Sequence, residues 1–392
     1  MPRNVWILGL ASLLMDTSSE MIHGLLPLFM VGSLGVSALT LGLIEGIAEA
    51  TASISKIFSG ALSDRWAKRK PLIVLGYGMA ALSKPLFPIA HSALTAFVAR
   101  FTDRIGKGVR GAPRDALIAD EVAPEFRGAA YGLRQSLDTV GGFAGPALAI
   151  VFVAGLALDL RTVFWIACIP ALVTVLVLVF GLREPAQVPQ AASRGNPFSG
   201  FRFRDYPRRF WALVVLVLLF TLMRFSEAFL VLRANGAGLS VGFAPMTLVV
   251  MSLAFMLTAY PVGVLSDRMS RPKLLALGCV VMVAADLAMG FSTNLLGVFA
   301  GIALWGVHLG LTEGIFSALT ADAAPPALRG TAFGVVNLAR GLMLVAASAL
   351  AGALWNWHGP RATFLAGAAL AALSAVASLL LLKRGQTPYS AS

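Results

Sequence analysis

Long apolar runs, each closed by charge or by Gly and Pro, recur along the chain. They fall near residues 5–31, 39–62, 72–90, 93–118, 130–156 and 162–182, then near 210–232, 243–265, 273–291, 294–318, 331–355 and 361–382. Each approaches the roughly 20 apolar residues that one membrane-spanning helix needs. The pattern predicts an all-α membrane protein of twelve transmembrane helices. Between the sixth and seventh runs the chain is rich in Pro, Gly, Ser and Arg. The predicted organisation is an N-terminal six-helix half (1–182), a cytoplasmic linker (183–209) and a C-terminal six-helix half (210–392). Asp16 and Glu20 interrupt the first run and no A-x-A cleavage site follows it. It therefore reads as a retained span and not as a secretory leader.

The halves repeat. Gly60-Ala-Leu-Ser-Asp64-Arg65 recurs as Gly263-Val-Leu-Ser-Asp267-Arg268, and the stretch from Ala119-Asp120 to Arg127-Gly128 recurs as Ala321-Asp322 to Arg329-Gly330. The two matches share one spacing to within a residue. Two parallel six-helix repeats are the expected result, with a site between them near the bilayer midplane.

Composition agrees with a bilayer solvent. Of 392 residues, 58% are hydrophobic and 13% charged, with a mean hydropathy of +0.81. A soluble domain is usually about 25% charged, so an ordinary soluble enzyme and a disordered chain are both excluded. Lys and Arg number 31 against 19 Asp and Glu, a net charge of +12. In a soluble chain that excess would suggest nucleic acid; here its location decides. With the N-terminus inside, Arg3, Arg65, Lys68, Arg69, Lys70, Arg127, the linker arginines, Arg268, Arg271, Lys273, Arg329, Lys383 and Arg384 all fall on the cytoplasmic side. The outer loops hold only Arg161, Arg233 and Arg361. That asymmetry places both termini in the cytoplasm. Cys168 and Cys279 lie in apolar stretches and form no CxxC, so they read as inert thiols.

The residues at the repeats resemble the major facilitator superfamily. Gly60-ALS-Asp64-Arg65-WA-Lys68-Arg69-Lys70 is similar to its signature loop between helices 2 and 3, G-x-x-x-D-R-x-G-x-R-K, with Ala67 at the second Gly. The copy from Gly263 to Lys273 carries Ser270 there. Arg104-Ile-Gly-Lys-Gly108 resembles the helix 4 pattern R-x-x-x-G. Gly141 to Pro146 resembles the helix 5 pattern G-x-x-x-G-P of proton-coupled exporters, without its usual small-residue continuation. The resemblance implies that helices 1, 4, 7 and 10 line a central cavity. It also implies that Gly60, Asp64, Arg65, Arg69, Asp267 and Arg268 form a conformational latch at the cytoplasmic helix ends. A carboxylate there can meet basic neighbours or a helix N-terminus; a plain turn with inside-positive charge is the simpler reading.

Charge inside spans carries the functional expectation, because an ionised side chain at the bilayer centre costs at least about 2.5–3.5 kcal/mol. Helix 4 bears Arg100, Asp103, Arg104, Lys107, Arg110, Arg114 and Asp115, within roughly a 140° sector at about 100° per residue. Either this is an anion-binding wall, where Arg forks and a Lys point charge bind carboxylate or phosphate, or its lower part is simply cytoplasmic. Helix 1 carries Asp16, Glu20 and His23 on one face. These, with Asp103, are the expected proton-coupling groups, against an alternative of static ion pairing. Arg134 and Asp138 on helix 5, Arg224 and Glu227 on helix 7, and Trp305 and His308 on helix 10 complete the expected substrate surface. Glu45, Glu49 and Lys84 are further intramembrane charges, Lys84 with a structural role.

No G-x-x-x-x-G-K-[ST], H-E-x-x-H or G-x-S-x-G occurs, and the four His are scattered. ATP-driven transport, intramembrane hydrolysis and any cofactor or metal are not expected. The sequence thus predicts a monomeric, multi-pass protein of a plasma (bacterial inner) membrane, without nucleic-acid partners. It would export a small organic anion or amphipathic compound by proton-coupled alternating access. Multidrug efflux of apolar or neutral compounds is the main alternative, and a non-transporting sensor the remote one.

Overall fold

A computed structural model describes the chain except for residues 67, 124–125, 185–205, 267–268, 324–328 and 384–392. Most of the expected linker, together with Asp267 and Arg268, lies outside the described residues. So do the side chains of Asp64 and Arg65.

Every expected apolar run falls on a helix. These are α1 (Arg3–His23, prolonged through Phe29–Ser33), α2 (Ala38–Trp66), α3 (Lys70–Ser83), α4 (Ala93–Glu121), α5 (Arg127–Ile150) and α6 (Leu160–Gly181). They continue as α7 (Arg208–Met223, resuming as Ala228–Gly236), α8 (Met246–Ser266), α9 (Arg271–Phe291) and α10 (Leu295–Ala323). The element Arg329–Lys383 turns at Gly359, where φ is 80°. Only glycine adopts that conformation without strain, and Pro360 follows. The arms before and after Gly359 are α11 and α12.

Local chemistry sets the ends. Ser92 Oγ accepts the Thr95 N–H at 3.3 Å and starts α4. Asp159 does the same for α6 through the Thr162 N–H at 3.3 Å. Hydrogen bonds from Thr162 hold the Asp159 carboxyl below the usual carboxylate range. Pro71 and Pro272 sit in the first turns of α3 and α9, where the missing N–H leaves no bond unmade.

Two compact units result: Met1–Ser199 with Ser240–Met246, and Gly200–Leu239 with Thr247–Ser392. In the first, α2 and α3 pack on α4, and α1 lies between α5 and α6. Its core joins Val5, Leu8 and Met15 of α1 to Ile73 and Tyr77 of α3, Leu117 of α4 and Leu178 of α6. In the second, α9 packs on α10 and on the α11–α12 element, which also covers α7.

Eight stretches among the described residues are long and apolar enough to cross a membrane. The charged helices α2 and α4 are not among them, and α3 is only 14 residues long. Side chains such as Leu82, Phe180 and Leu296 are more than three-quarters exposed, as suits a surface that meets lipid.

Candidate functional site

The first unit gathers its intramembrane charges on α1, α2 and α4 and divides them into two layers. The inner layer is paired. Arg100 donates Nε to Glu45 Oε1 at 3.0 Å and Nη2 to Oε2 at 2.7 Å, both side chains 3% exposed. Lys84 donates to Asp103 Oδ1 and to Ser19 Oγ, each at 2.9 Å. These pairs bind α2 and α3 to α4 by charge-assisted hydrogen bonds. Close backbone approach permits it: a Cβ on Gly76 or Gly106 would strike the facing helix backbone of α4 or α3, and one on Gly108 that of α2. Asp103 and Arg100 are therefore fully engaged within the unit.

The outer layer is more open. Arg104 Nε lies 3.1 Å from Glu49 Oε1, and Glu49 is 35% exposed. Glu20 Oε2 lies 3.4 Å from His23 Nδ1. Arg134 holds Asp138 at 2.6 Å, one helical turn on, while Asp138 Oδ1 has no hydrogen-bond partner. Lys107 is exposed and makes no ion pair among the described residues. Arg104, Glu49, Asp16 and Glu20 are its electrostatic neighbours. Asp16 likewise has no ion-pair partner within 4 Å and faces Lys107, Asp138, Arg110 and Glu20.

Further along α4 the two remaining cations belong to the interior. The Arg110 guanidinium lies 4.4 Å over the Tyr77 ring. Arg114 donates to Ser12 Oγ at 3.1 Å, and Ser12 in turn shares a 3.0 Å hydrogen bond with Tyr77. Sequence spacing put all five cations of α4 on one stripe. The fold gives them different partners, and only Lys107 is left exposed and unpaired among them. Partner identity depends on which helix faces which, and no spacing within one helix records that.

At one end of this unit Arg69 is buried. It donates Nε to Asp120 at 3.1 Å and Nη1 to Ser63 at 2.7 Å, tying α3 to α2 and α4. Glu184 accepts the backbone N–H groups of Arg69 at 2.6 Å and Lys70 at 3.0 Å, closing the start of α3. Gly60 faces Ala112 of α4, which a Cβ would meet at 3.3 Å. In the second unit Arg271 pairs with Asp322, so both repeats join an Arg from the loop or helix start to an Asp at the far end of a long helix.

In the second unit α7 breaks between Met223 and Ala228. Arg224 leaves the helix and donates to Glu313 of α10 at 2.5 Å, and Arg340 of α11 reaches the same oxygen at 2.7 Å. The Ser226 N–H, freed by the break, is taken up by Ser348 Oγ at 3.2 Å. Glu227 thus begins the second segment of α7 and does not share a helical turn with Arg224. Trp305 and His308 are buried inside the unit: His308 Nδ1 bonds Gly278 O at 2.8 Å, and its ring lies parallel to Phe220. Sequence reasoning passed over Asp286 of α9, a fully buried acid. Its signal was present: a single ionisable residue inside an otherwise apolar run.

The chain matches the family model described as Major Facilitator Superfamily over residues 8–348 and again over 235–392. It is 31% identical over 387 residues to the uncharacterized MFS-type transporter MJ1317 of Methanocaldococcus jannaschii, covering 97% of this chain and 95% of that protein. It is 26% identical to the multidrug resistance protein MdtH of Cronobacter sakazakii, covering 87% of this chain and 83% of that one. Among solved structures, the nucleoside transporter NupG (D323A mutant) superposes with a TM-score of 0.82 at 12% identity, over 96% of this chain and 99% of the other.

Proposed function

The chain belongs to the major facilitator superfamily of membrane transporters, and from that premise we propose that it exports a small organic anion or amphipathic compound in exchange for protons. Membership makes it a multi-pass integral membrane protein that moves a small molecule, and not an enzyme. The observation that carries the finer reading is Lys107: an exposed cation, unpaired among the described residues, on α4, which we place within the membrane. Such a charge is costly unless it meets water or a counter-ion, and an anionic substrate supplies one. Asp16 and Glu20 stand beside it and are the proton-coupling groups. In this scheme a proton on the carboxyls frees Lys107 for substrate, and release of the proton restores the internal counter-charge. Arg104, partly neutralised by Glu49, orders the same surface. Arg134 and Asp138 of the same unit add a paired cation and acid, and within the second unit Arg224 and Arg340 converge on Glu313. The protein works as a monomer in a bacterial inner membrane, with both termini cytoplasmic.

Similarity to MdtH supports a second reading, efflux of several drugs. The two differ in substrate charge. Everted vesicles containing the protein, with an imposed pH gradient, would be offered carboxylates and phosphate esters in one arm and the cation ethidium in the other. Gradient-dependent uptake of anions supports the first reading. Uptake of ethidium alone overturns it in favour of the second.

A further inference from the structure

We propose that Asp286 is a proton-binding site inside the second unit, distinct from the acids of the first. Asp286 lies within α9, fully buried, and neither carboxyl oxygen has a hydrogen-bond partner of normal geometry among the described residues. A carboxylate ionised in such surroundings, without a paired cation, is costly; a bound proton removes the charge.

The groups packed around it come from several helices. From α10 comes the Trp305 indole N–H, which faces the carboxyl. From α12 comes Gly367, set so close that a Cβ there would collide with Asp286 Oδ2. Phe225, from the break in α7, stacks edge-on against Phe364 at 5.5 Å and lies 6.0 Å from Trp305, closing the apolar wall. Cations of the second unit are engaged elsewhere. Arg233 donates to the carbonyls of Met289 and Ser292 at 2.7 and 2.5 Å. Arg361 lies over the Phe291 ring at 4.4 Å. Arg224 and Arg340 are held by Glu313, and His308 is bonded to Gly278. Close backbone at Gly367 and the rings of Phe225, Trp305 and Phe364 thus surround the carboxyl.

The site links three helices. With the proton bound, α9, α10 and α12 close on a neutral group. Without it, the carboxylate must draw in water or a cation, and the packing at Gly367 has to open. Proton occupancy of Asp286 therefore biases the packing of the second unit. Its use in a transport cycle rests on the proton-exchange reading above; the presence of the proton does not.

The test is infrared spectroscopy of the purified protein and its Asp286→Asn variant, in H2O and D2O, across a pH series. The expected result is a protonated-carboxyl C=O band in the wild type. It shifts in D2O, falls reversibly as pH rises, and is missing in the variant. Identical spectra would overturn the proposal, as would a band that neither exchanges nor responds to pH. Should the variant not fold, wild-type protein treated with dicyclohexylcarbodiimide, which attacks protonated carboxyls in apolar surroundings, decides by mass mapping. An adduct on Asp286 supports the site, and adducts confined to other acids overturn it. Failure of proton-driven flux in the wild type would sink the export reading alone and leave this band unaffected.

Discussion

Lys107 and Arg100 stand two turns apart on one helix and have opposite roles. Arg100 is closed by a bidentate bond to a buried carboxylate, whereas Lys107 is exposed and unpaired. Removing one partner of a buried pair leaves the other charged and stranded. Arg100→Ala is therefore expected to destabilise the protein by about 3–5 kcal/mol, and Arg100→Ala with Glu45→Ala together by less than Arg100→Ala alone; thermal unfolding in detergent measures both. Lys107→Ala should leave the melting temperature nearly unchanged. It should weaken binding of an anionic ligand about tenfold, roughly 1.4 kcal/mol, as read by titration. A large loss of stability in Lys107→Ala would place that residue with the paired layer. The sequence marked both residues as intramembrane cations. It could not separate them, because the separation is made by Glu45 on another helix.

At the scale of elements, helix positions were legible because apolar runs of spanning length leave few alternatives. Small residues suited to close packing on α5 were legible too; their partner, α1, was not. Gly141 and Gly145 are small residues of the kind that permit close helix packing, and a Cβ on either would strike the Leu13 or Thr17 carbonyl. Gly145→Val should accordingly lower the melting temperature and yield, at a cost of about 1–3 kcal/mol or more for overpacking; a variant with wild-type stability would contradict the packing. The break in α7 was not legible. Residues 210–232 form one apolar run, and helical spacing put Arg224 and Glu227 on one face. The helix ends instead where Glu313, Arg340 and Ser348, all distant in sequence, offer better partners to Arg224 and to the freed Ser226 N–H. Such competition between tertiary and local bonds leaves no trace in one segment's pattern. Ser348→Ala removes the acceptor for that N–H, and a loss of about 1 kcal/mol is expected, measurable by thermal unfolding.

For the whole molecule, the excess of basic residues carries two messages. Most of it lies in loops and ends and accords with an inside-positive orientation. The remainder lies within spans, where the described residues neutralise much of it: Arg100 by Glu45, Lys84 by Asp103, Arg104 by Glu49, and Arg224 and Arg340 around Glu313. Among the described residues of the first unit, the Lys107 ammonium stays exposed and without an ion pair, with Asp16 and Glu20 as neighbours, the arrangement the proposed exchange of a proton for an anion calls for. Its most direct test is uptake of organic anions by everted vesicles under an imposed pH gradient, comparing wild type with Lys107→Ala and Glu20→Gln. Uptake is predicted to vanish when the gradient is collapsed, to fall about tenfold in affinity in Lys107→Ala, and to lose its dependence on the gradient in Glu20→Gln. Anion uptake that persists without the gradient and is unchanged in both variants would contradict the account.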